Sequence, residues 1–214
     1  MKKKAIIFDM DGVISDTQIY HSRIWSEVLA KYGINISPEE ITLRYAGAKS
    51  REVFLKILAN HNLEQKLEEV LREKARLQAL WIDKGVMPIE GAPELIKKLF
   101  DDGRDLAVAS GGGRRTVEFI LDTLGLRKYF SVVTTADDVS SCKPSPELFL
   151  LAAYLLGRAP NKCIVIEDSR NGMLAARLAG MYCIGLVFDE NDKKTYPADR
   201  LVNTLTKLGV SDFD

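Results

Sequence analysis

The chain has 214 residues, 46% of them hydrophobic and 28% charged, which is typical of a soluble globular protein with one well-filled core and a smaller second domain. Thirty basic residues balance thirty acidic residues, so the net charge argues against nucleic acid and favours a small substrate as partner. The apolar run at residues 5–8 is too short for a signal peptide, and no stretch is long enough to span a membrane.

The three cysteines are Cys142, Cys163 and Cys183. They are odd in number, widely spaced and without histidines at the spacing of metal ligands, which argues against a disulfide framework and against a zinc site. This pattern indicates a reducing compartment. We therefore expect a cytoplasmic protein that binds no membrane and is a monomer or a weak homodimer.

The first predicted strand, residues 5–8, is an unbroken apolar run, which indicates a buried central strand of a parallel sheet. Asp9 and Asp11 follow it directly. Because side chains alternate along a strand, both carboxylates would leave the strand end on the same side, where they need a cation or a shared proton. An Asp-x-Asp pair is also common in ordinary turns, but its position at the end of an apolar strand favours a ligand site.

Residues 17–84 show the apolar spacing of helices and contain no run that is typical of a strand. We therefore predict a small helical bundle that is inserted after the first strand. As domains, residues 16–86 are expected to form this helical cap. Residues 1–15 and 87–214 are expected to form the core that the cap interrupts.

After residue 91 the pattern alternates between helices and short apolar strands. Helices are expected at residues 92–100, 115–124, 145–156 and 171–179, and strands at residues 106–109, 130–134, 163–166 and 183–188. The residues after Pro197 are predicted to form one more helix and a short tail. Such alternation implies right-handed crossovers and a parallel sheet, so the fold class is α/β with a doubly wound, Rossmann-like core.

Small and hydroxyl-bearing residues follow the second predicted strand. Ser110, Gly111, Gly112 and Gly113 lie just before a predicted helix, with Arg114 next in the chain. Backbone N–H groups at a helix N-terminus, together with the helix dipole, favour an anion, so this loop is a candidate phosphate site. The alternative is a flexible turn.

Two further polar clusters precede or follow predicted elements at the same edge of the sheet. Lys143 lies just before the helix that Ser145 and Pro146 are expected to begin, where its ammonium can reach a phosphate. Glu167 and Asp168 follow the strand at residues 163–166. Taken together with the first two carboxylates, these groups fit an oxygen-ligated Mg²⁺ ion between a carboxylate nucleophile and a phosphoryl group.

The four clusters occur in an order and at separations that resemble the haloacid dehalogenase-like superfamily of phosphotransferases, in the subgroup with a helical cap inserted after the first strand. The resemblance covers essentially the whole chain and is carried by Asp9-x-Asp11-Gly12-Val13, Ser110, Lys143-Pro144 and Glu167-Asp168. A motif set of this kind is specific because all four members occur together.

The resemblance implies a catalytic role for four residues. Asp9 would be the nucleophile that becomes an aspartyl phosphate, and Asp11 the general acid and base. Ser110 and Lys143 would hold the phosphoryl oxygens. Because Asp11 must carry a proton when it protonates the leaving alkoxide, its pKa is expected to lie above that of Asp9.

The resemblance also implies a magnesium site. Its ligands would be Asp9, the backbone carbonyl of Asp11 and Asp168, with Glu167 assisting. The physical reason is charge: a phosphate dianion and a carboxylate nucleophile repel each other, so a divalent cation and Lys143 must neutralise charge before attack.

Within the subgroup the chain is similar to β-phosphoglucomutase and its phosphatase relatives. The residues expected to bind substrate on this basis are His21, Arg51, Lys74, Gly111, Gly112 and Arg114. His21 would support proton transfer, and Arg51 and Lys74 would hold a second phosphate. The alternatives are a half-buried helix residue for His21 and solvated helix faces for the two cations.

Two departures from the mutase pattern favour hydrolysis over isomerisation. The chain has Ala46-Gly47 where the mutase has Lys-Gly, with one extra residue before Arg51, and Gly112-Gly113-Arg114 replaces a Ser-Lys-Asn segment. The predicted function is a Mg²⁺-dependent phosphatase for a small phosphorylated metabolite, such as a sugar phosphate. The alternatives are a β-phosphoglucomutase-type isomerase and, outside the enzymes, a receiver-like module whose aspartate is phosphorylated as a signal.

Overall fold

The computed structural model describes residues 4–82, 85–187 and 196–214. Its centre is a six-stranded parallel sheet with the order β3-β2-β1-β4-β5-β6. The strands are β1 (Ala5–Phe8), β2 (Leu106–Ala109), β3 (Val132–Thr134), β4 (Cys163–Glu167), β5 (Tyr182–Leu186) and β6 (Arg200–Val202). The doubly wound parallel sheet that the alternating pattern predicts is therefore confirmed.

Eight α-helices occur within the described ranges, some packed on the sheet and some in the insertion after β1. They are α1 (Gln18–Ala30), α2 (Pro38–Tyr45), α3 (Ser50–Ala59), α4 (Leu67–Ile82), α5 (Ala92–Asp101), α6 (Arg114–Thr123), α7 (Glu147–Leu155) and α8 (Arg170–Leu178). The first four lie in one insertion after β1, and we call them the cap. Within the described residues, no helix has the length and apolar character needed to cross a membrane.

The sheet has an apolar layer on each face because successive side chains of a strand point to opposite sides. Ile6 and Phe8 of β1 pack with α5 and α6 on one face. Ala5 and Ile7 pack with α7 and α8 on the other face. Burial of β1 on both faces explains why its sequence shows no alternation.

The cap has an apolar cluster of its own, which α1–α4 and the loops between them supply. Trp25, Leu29, Phe54 and Val70 belong to it, and none of its fully buried members comes from the sheet. The two segments that connect the cap to the core lie next to each other: the N–H of Asp16 in the first donates to Met87 O in the second at 2.9 Å. A unit with its own cluster and adjacent connections has the construction of an inserted domain.

Several predicted boundaries need correction. The predicted helix after Pro197 is wrong: the chain forms β6 and two short 3₁₀ helices, Leu205–Lys207 and Val210–Phe213. Parallel pairing with β5 determines this strand, and three residues are too few to show a periodic pattern. The preceding strand ends at Leu186, and Phe188, where the prediction ended it, lies outside the described residues.

The helix after Lys143 also begins later than predicted. Its first residue is Glu147, and Pro146 is the N-cap. Ser145, which was expected at the N-cap, lies one position earlier, and its Oγ accepts a hydrogen bond from Glu147 N at 3.4 Å. Ser145 therefore accepts a hydrogen bond near the start of the helix, as expected, but the helix begins one residue later than predicted.

Candidate active site

Parallel pairing brings three of the predicted clusters to one edge of the sheet. Phe8 is in register with Val108 on one side and with Ile166 on the other. The residues that follow these positions include Asp9, Ser110 and Glu167. The carboxyl ends of β1, β2 and β4 therefore meet where open α/β sheets bind their ligands.

Lys143 connects these strand ends, although its own loop lies far away in sequence. Its ammonium is fully buried and donates to Asp9 Oδ1, to Ala109 O at 3.0 Å and to Glu167 Oε1 at 2.7 Å. Burial opposes the charge of Lys143, but the charges of Asp9 and Glu167 outweigh that effect and raise its pKa above the usual range. The lysine is therefore a fixed positive charge at the floor of the site.

Three carboxylates share this floor. Oxygens of Asp9, Glu167 and Asp168 lie within 4.8 Å of one another, a grouping that can hold a metal ion. Burial, opposed by Lys143, raises the pKa of Asp9 to about 8, and burial and the neighbouring carboxylates raise the pKa of Asp168. One ammonium is thus too little to neutralise the three carboxylates, and the donor set is all oxygen. Such a site fits a divalent metal ion.

Glu167 and Asp168 differ in how their oxygens are used. The Oε2 atom of Glu167 accepts from the N–H of Ser169 at 2.6 Å and from its hydroxyl at 2.9 Å, while Oε1 accepts from Lys143. No described residue donates a hydrogen bond to the carboxylate of Asp168. Of the two, Asp168 therefore has the oxygens available for a metal, and Glu167 holds the surrounding groups in place.

Glycine is required beside Asp168. A Cβ atom at Gly12 would lie 2.1 Å from Asp168 Oδ2, and the φ of Gly12 is +89°. Both the close approach and the left-handed backbone exclude a larger residue. The glycine of the first motif thus makes room for the carboxylate of the last motif.

Asp11 has partners on the cap side. Its Oδ1 accepts from Thr17 Oγ1 and lies 3.0 Å from His21 Nε2. Burial raises its pKa, but His21 and Thr17 outweigh burial and lower it to about 2. The expected order, with Asp11 above Asp9, is reversed in this structure because Asp11 has two stabilising neighbours and Asp9 shares one lysine with two other carboxylates.

The loop after β2 has the predicted position at the site. Ser110 is fully buried, and its Oγ accepts a hydrogen bond from Gly112 N at 3.0 Å. Gly111 lies against the cap: a Cβ atom there would come within 2.6 Å of Gly47 O. Core and cap are therefore in direct backbone contact beside the carboxylates.

A cavity of about 60 Å³ lies between the core and the cap. Its lining includes Asp9, Asp11, Gln18, His21, Ser22, Trp25, Ile41, Tyr45, Ser50, Lys74, Gly111, Gly112 and Asp168. Pockets that enclose small ligands have volumes of roughly 300–1,000 Å³. In this arrangement of cap and core the cavity is therefore smaller than a pocket that encloses a ligand of that kind.

The predicted substrate-binding cations have different positions. Lys74 lines the cavity; burial lowers its pKa while Asp11 acts in the opposite direction, and no described residue forms an ion pair with it. Arg51 forms an exposed ion pair with Glu68 and does not line the cavity. Arg114 is also directed elsewhere, since its guanidinium donates to Asp138 Oδ2 at 2.5 Å and to Val133 O at 3.1 Å.

Residues that the sequence did not reveal also contact the site. Thr17 donates to Asp11. Asn171, in the first turn of α8, donates through Nδ2 to Ala46 O at 3.0 Å and to Arg44 O at 3.2 Å, which joins core to cap. Trp25 lines the cavity from α1. The spacing of three or four residues from His21 was a usable signal for Trp25, whereas the other two contacts depend on tertiary structure.

Charged groups gathered at the carboxyl ends of a parallel sheet, beneath an inserted helical cap, define this protein as an α/β enzyme with its chemistry at the core–cap junction. The chain belongs to the haloacid dehalogenase-like hydrolase family, whose model matches residues 6–186. This match confirms the resemblance that the four motifs indicated. It also identifies the chain as a hydrolase.

Individual relatives agree in fold and differ in named activity. The chain is 34% identical to a fructose-1-phosphate phosphatase of Escherichia coli, over 83% of this chain and 93% of the relative. The structure of a β-phosphoglucomutase from Clostridium difficile has a TM-score of 0.85, 26% identity and coverage of 99% and 95% of the two chains. CbbY from Rhodobacter sphaeroides in complex with xylulose-(1,5)bisphosphate has a TM-score of 0.83, 28% identity and full coverage of both chains.

Proposed function

We propose that this hydrolase is a Mg²⁺-dependent phosphatase that acts on a small phosphorylated metabolite, a sugar phosphate, through an aspartyl phosphate on Asp9. The observation that carries the proposal is the pair of carboxylates after β1. Asp9 is held by the buried ammonium of Lys143, and Asp11, two residues on, lines the same cavity with different partners. In the proposed reaction Asp9 would attack phosphorus and Asp11 would transfer the proton. A phosphatase among the relatives supports the substrate class.

The metal would be held by Asp9, Asp168 and the backbone carbonyl of Asp11, with Glu167 positioned behind them. The supporting observation is that no described residue donates a hydrogen bond to Asp168, although it lies within the cluster of carboxylates. When bound, Mg²⁺ supplies positive charge that draws the phosphoryl oxygens towards Asp9 and lowers the pKa of that carboxylate.

The chain's own residues would hold the phosphoryl group from two sides. Lys143 provides a buried positive charge beside the attacking oxygen of Asp9. The Ser110 hydroxyl accepts from Gly112 N, which leaves its own proton free for a phosphoryl oxygen. Ser110 would donate that proton, whereas Lys143, whose three N–H groups already have acceptors, would act through its charge.

Asp11 would move the protons. Its Oδ1 is occupied by Thr17 and His21, and no described residue contacts Oδ2 by a hydrogen bond. An ionised Asp11 is in the right state to take a proton from the water that hydrolyses the aspartyl phosphate. Protonation of the leaving alkoxide requires that Asp11 first bind a proton, and the negative charge of a bound phosphate raises its pKa in that direction.

The second candidate is a β-phosphoglucomutase-type isomerase that uses the same aspartyl phosphate. Lys74 favours it, because its ammonium lines the cavity, forms no ion pair with a described residue and could hold a second phosphate. Arg51 argues against it, since its guanidinium forms an exposed ion pair with Glu68. A mutase must keep water away from its bisphosphate intermediate while the intermediate reorients in the site. A single cation binds the second phosphate too weakly for that step.

The deciding experiment measures both products at once. The protein with Mg²⁺ is incubated with β-glucose 1-phosphate and a catalytic amount of β-glucose 1,6-bisphosphate, and in parallel with a panel of sugar phosphates. We expect inorganic phosphate from members of the panel and little glucose 6-phosphate. Rapid formation of glucose 6-phosphate with negligible phosphate release would support the isomerase instead.

We further propose that residues 16–86 act as a movable cap on a core of residues 1–15 and 87–214. Two observations support these boundaries. The two links are held together by hydrogen bonds of 2.9 Å, from Asp16 N to Met87 O and from Ile89 N to Ile14 O. The cavity is smaller than pockets that enclose small ligands, and opening and closing at these links would admit the substrate and then exclude water.

A further inference from the structure

One buried donor in the cap has no partner. Trp25 is 6% exposed, and its ring packs against Phe54 with the centroids 4.7 Å apart. The Nε1 atom is buried and has no hydrogen-bond acceptor among the described residues. No other buried side-chain nitrogen or oxygen in the described part of the chain lacks a partner. Native proteins retain few such groups because an unpaired buried donor is destabilising.

The position of Trp25 relates it to the reacting groups. One face of α1 lines the cavity through Gln18, His21, Ser22 and Trp25, which are spaced three or four residues apart. His21 contacts Asp11 at 3.0 Å. Trp25 lies one turn further along α1, about 6 Å from His21 along the helix axis. With a phosphoryl group at Asp9, the leaving group would extend into the cavity that these residues share with Asp9.

The neighbours of Trp25 in the cavity restrict what the leaving group can be. Ile41 and Tyr45 of α2 contribute largely apolar surface, while Ser50 and Lys74 contribute polar groups. The indole N–H and the lysine ammonium are donors that cannot accept a hydrogen bond. An oxygen-bearing leaving group provides acceptors for both, whereas an aryl or alkyl leaving group leaves both unpaired.

We propose that Trp25 Nε1 donates a hydrogen bond to an oxygen atom of the leaving group and thereby selects sugar or polyol phosphates over aryl and alkyl phosphates. The inference rests on the proposed phosphatase function and deepens it by assigning a specificity-determining residue. Trp25 touches neither the phosphorus nor the attacking oxygen in this arrangement. Its effect is on the choice of substrate.

The variant Trp25→Phe tests the proposal because it removes the N–H and keeps an aromatic ring against Phe54. The matched control is Trp81→Phe, which changes the other tryptophan of the chain, a residue that stacks on Tyr20 at 4.1 Å and does not line the cavity. The substrates are phenyl phosphate and the sugar phosphate that the wild-type protein hydrolyses fastest. Circular dichroism and thermal unfolding confirm that each variant is folded.

We expect Trp25→Phe to lower kcat/KM for the sugar phosphate by about 10- to 100-fold, as for loss of a buried hydrogen bond to substrate, and to change kcat/KM for phenyl phosphate by less than about twofold. Trp81→Phe should leave the ratio of the two values unchanged. Equal losses on both substrates, no loss on either, or a wild-type protein that prefers phenyl phosphate would overturn the proposal. If the wild-type protein hydrolyses no phosphate ester, the proposed function itself fails.

A binding measurement covers the case in which Trp25→Phe does not fold. NMR spectra of the Asp9→Asn protein with Mg²⁺ contain two indole N–H resonances, which Trp81→Phe assigns. Addition of the sugar phosphate should shift the Trp25 resonance, while phenyl phosphate and inorganic phosphate should leave it in place. If the backbone amides of Gly111 and Gly112 report sugar phosphate binding and the Trp25 resonance stays still, the proposal is wrong.

Discussion

The core side and the cap side of the cavity differ in how their polar groups are partnered. On the core side the ammonium of Lys143 and both carboxylate oxygens of Glu167 have hydrogen-bond partners without substrate. On the cap side, among the described residues, the Trp25 N–H has no acceptor and Lys74 forms no ion pair.

This difference in hydrogen bonding suits the two sides to different parts of the substrate. A phosphoryl group is the same in every phosphate monoester, so the residues that receive it can be fixed in advance. Leaving groups vary, and a donor without a partner can distinguish a leaving group that accepts a hydrogen bond from one that does not. We therefore expect core changes to remove activity on all substrates and cap changes to alter the choice among them.

The largest expected effect on the core side is that of Asp9→Asn. It removes the nucleophile and preserves its shape, so turnover should fall on the order of 10⁴-fold or more for every phosphate ester. Hydrolysis of phenyl phosphate, followed beside circular dichroism, measures this. Asp122→Asn, an exposed carboxylate on α6, is the control and should keep wild-type rates. Substantial turnover by a folded, uncontaminated Asp9→Asn protein would exclude Asp9 as the nucleophile.

Lys143→Met should remove both activity and stability. The change leaves Asp9 and Glu167 buried without their common cation, and breaking a buried ion pair in this way costs about 3–5 kcal/mol. Urea unfolding measures the loss. Lys97→Met breaks an exposed ion pair with Asp101 and should have a small effect. Equal stability of the two variants would show that the buried network contributes nothing to the fold.

Activity should require Mg²⁺ and disappear when EDTA is added, and Asp168→Asn should sharpen the assignment. We expect this variant to need more than about tenfold more Mg²⁺ for half-maximal activity, which corresponds to about 1.4 kcal/mol. A titration of activity against Mg²⁺ provides the value, again with Asp122→Asn as control. An unchanged titration curve would exclude Asp168 from the metal site.

The smallest effect is expected at the contact between the two sides. Asn171→Asp replaces donors with acceptors that face the carbonyls of Arg44 and Ala46, and so removes two hydrogen bonds worth about 0.5–1.5 kcal/mol each. The cap should then be open in a larger fraction of molecules, and KM should rise. Asn161→Asp, on the exposed 3₁₀ helix Pro160–Lys162 of the core, is the matched control.

Two-site distance labelling measures the opening directly. Labels at the exposed positions Lys56 on α3 and Lys162 before β4 report on cap and core. Addition of Mg²⁺ with fluoroaluminate, a mimic of the phosphoryl group, should shorten the distance in wild type and less so in Asn171→Asp. Identical distances with and without the mimic in wild type would argue against a moving cap.

The two sides also differ in how far the sequence predicts them. Asp9, Ser110 and Glu167 could be brought together in advance because strand ends of a parallel sheet share an edge and these residues follow apolar runs. The contacts of Arg51 and Arg114 could not be predicted, because a long exposed side chain can form an ion pair with any acidic residue nearby. Here the partners are Glu68 and Asp138. The local sequence pattern does not show which acidic residue forms the ion pair.

Tertiary structure also decides the remaining differences. Trp25 belongs to the apolar face of α1, and its sequence position does not show that the indole N–H lacks a partner. β6 is a strand because it pairs with β5, which three residues of sequence cannot reveal. The low pKa of Asp11 depends on its contacts with Thr17 and His21, which the motif alone does not specify.

The central claim is that hydrolysis occurs in two displacements at phosphorus, with Asp9 carrying the phosphoryl group between them. The most direct test uses a phosphate ester made chiral at phosphorus with oxygen isotopes. Each in-line displacement inverts the configuration, so two displacements predict net retention in the inorganic phosphate that is released. Net inversion would show a single attack by water and would contradict the aspartyl phosphate.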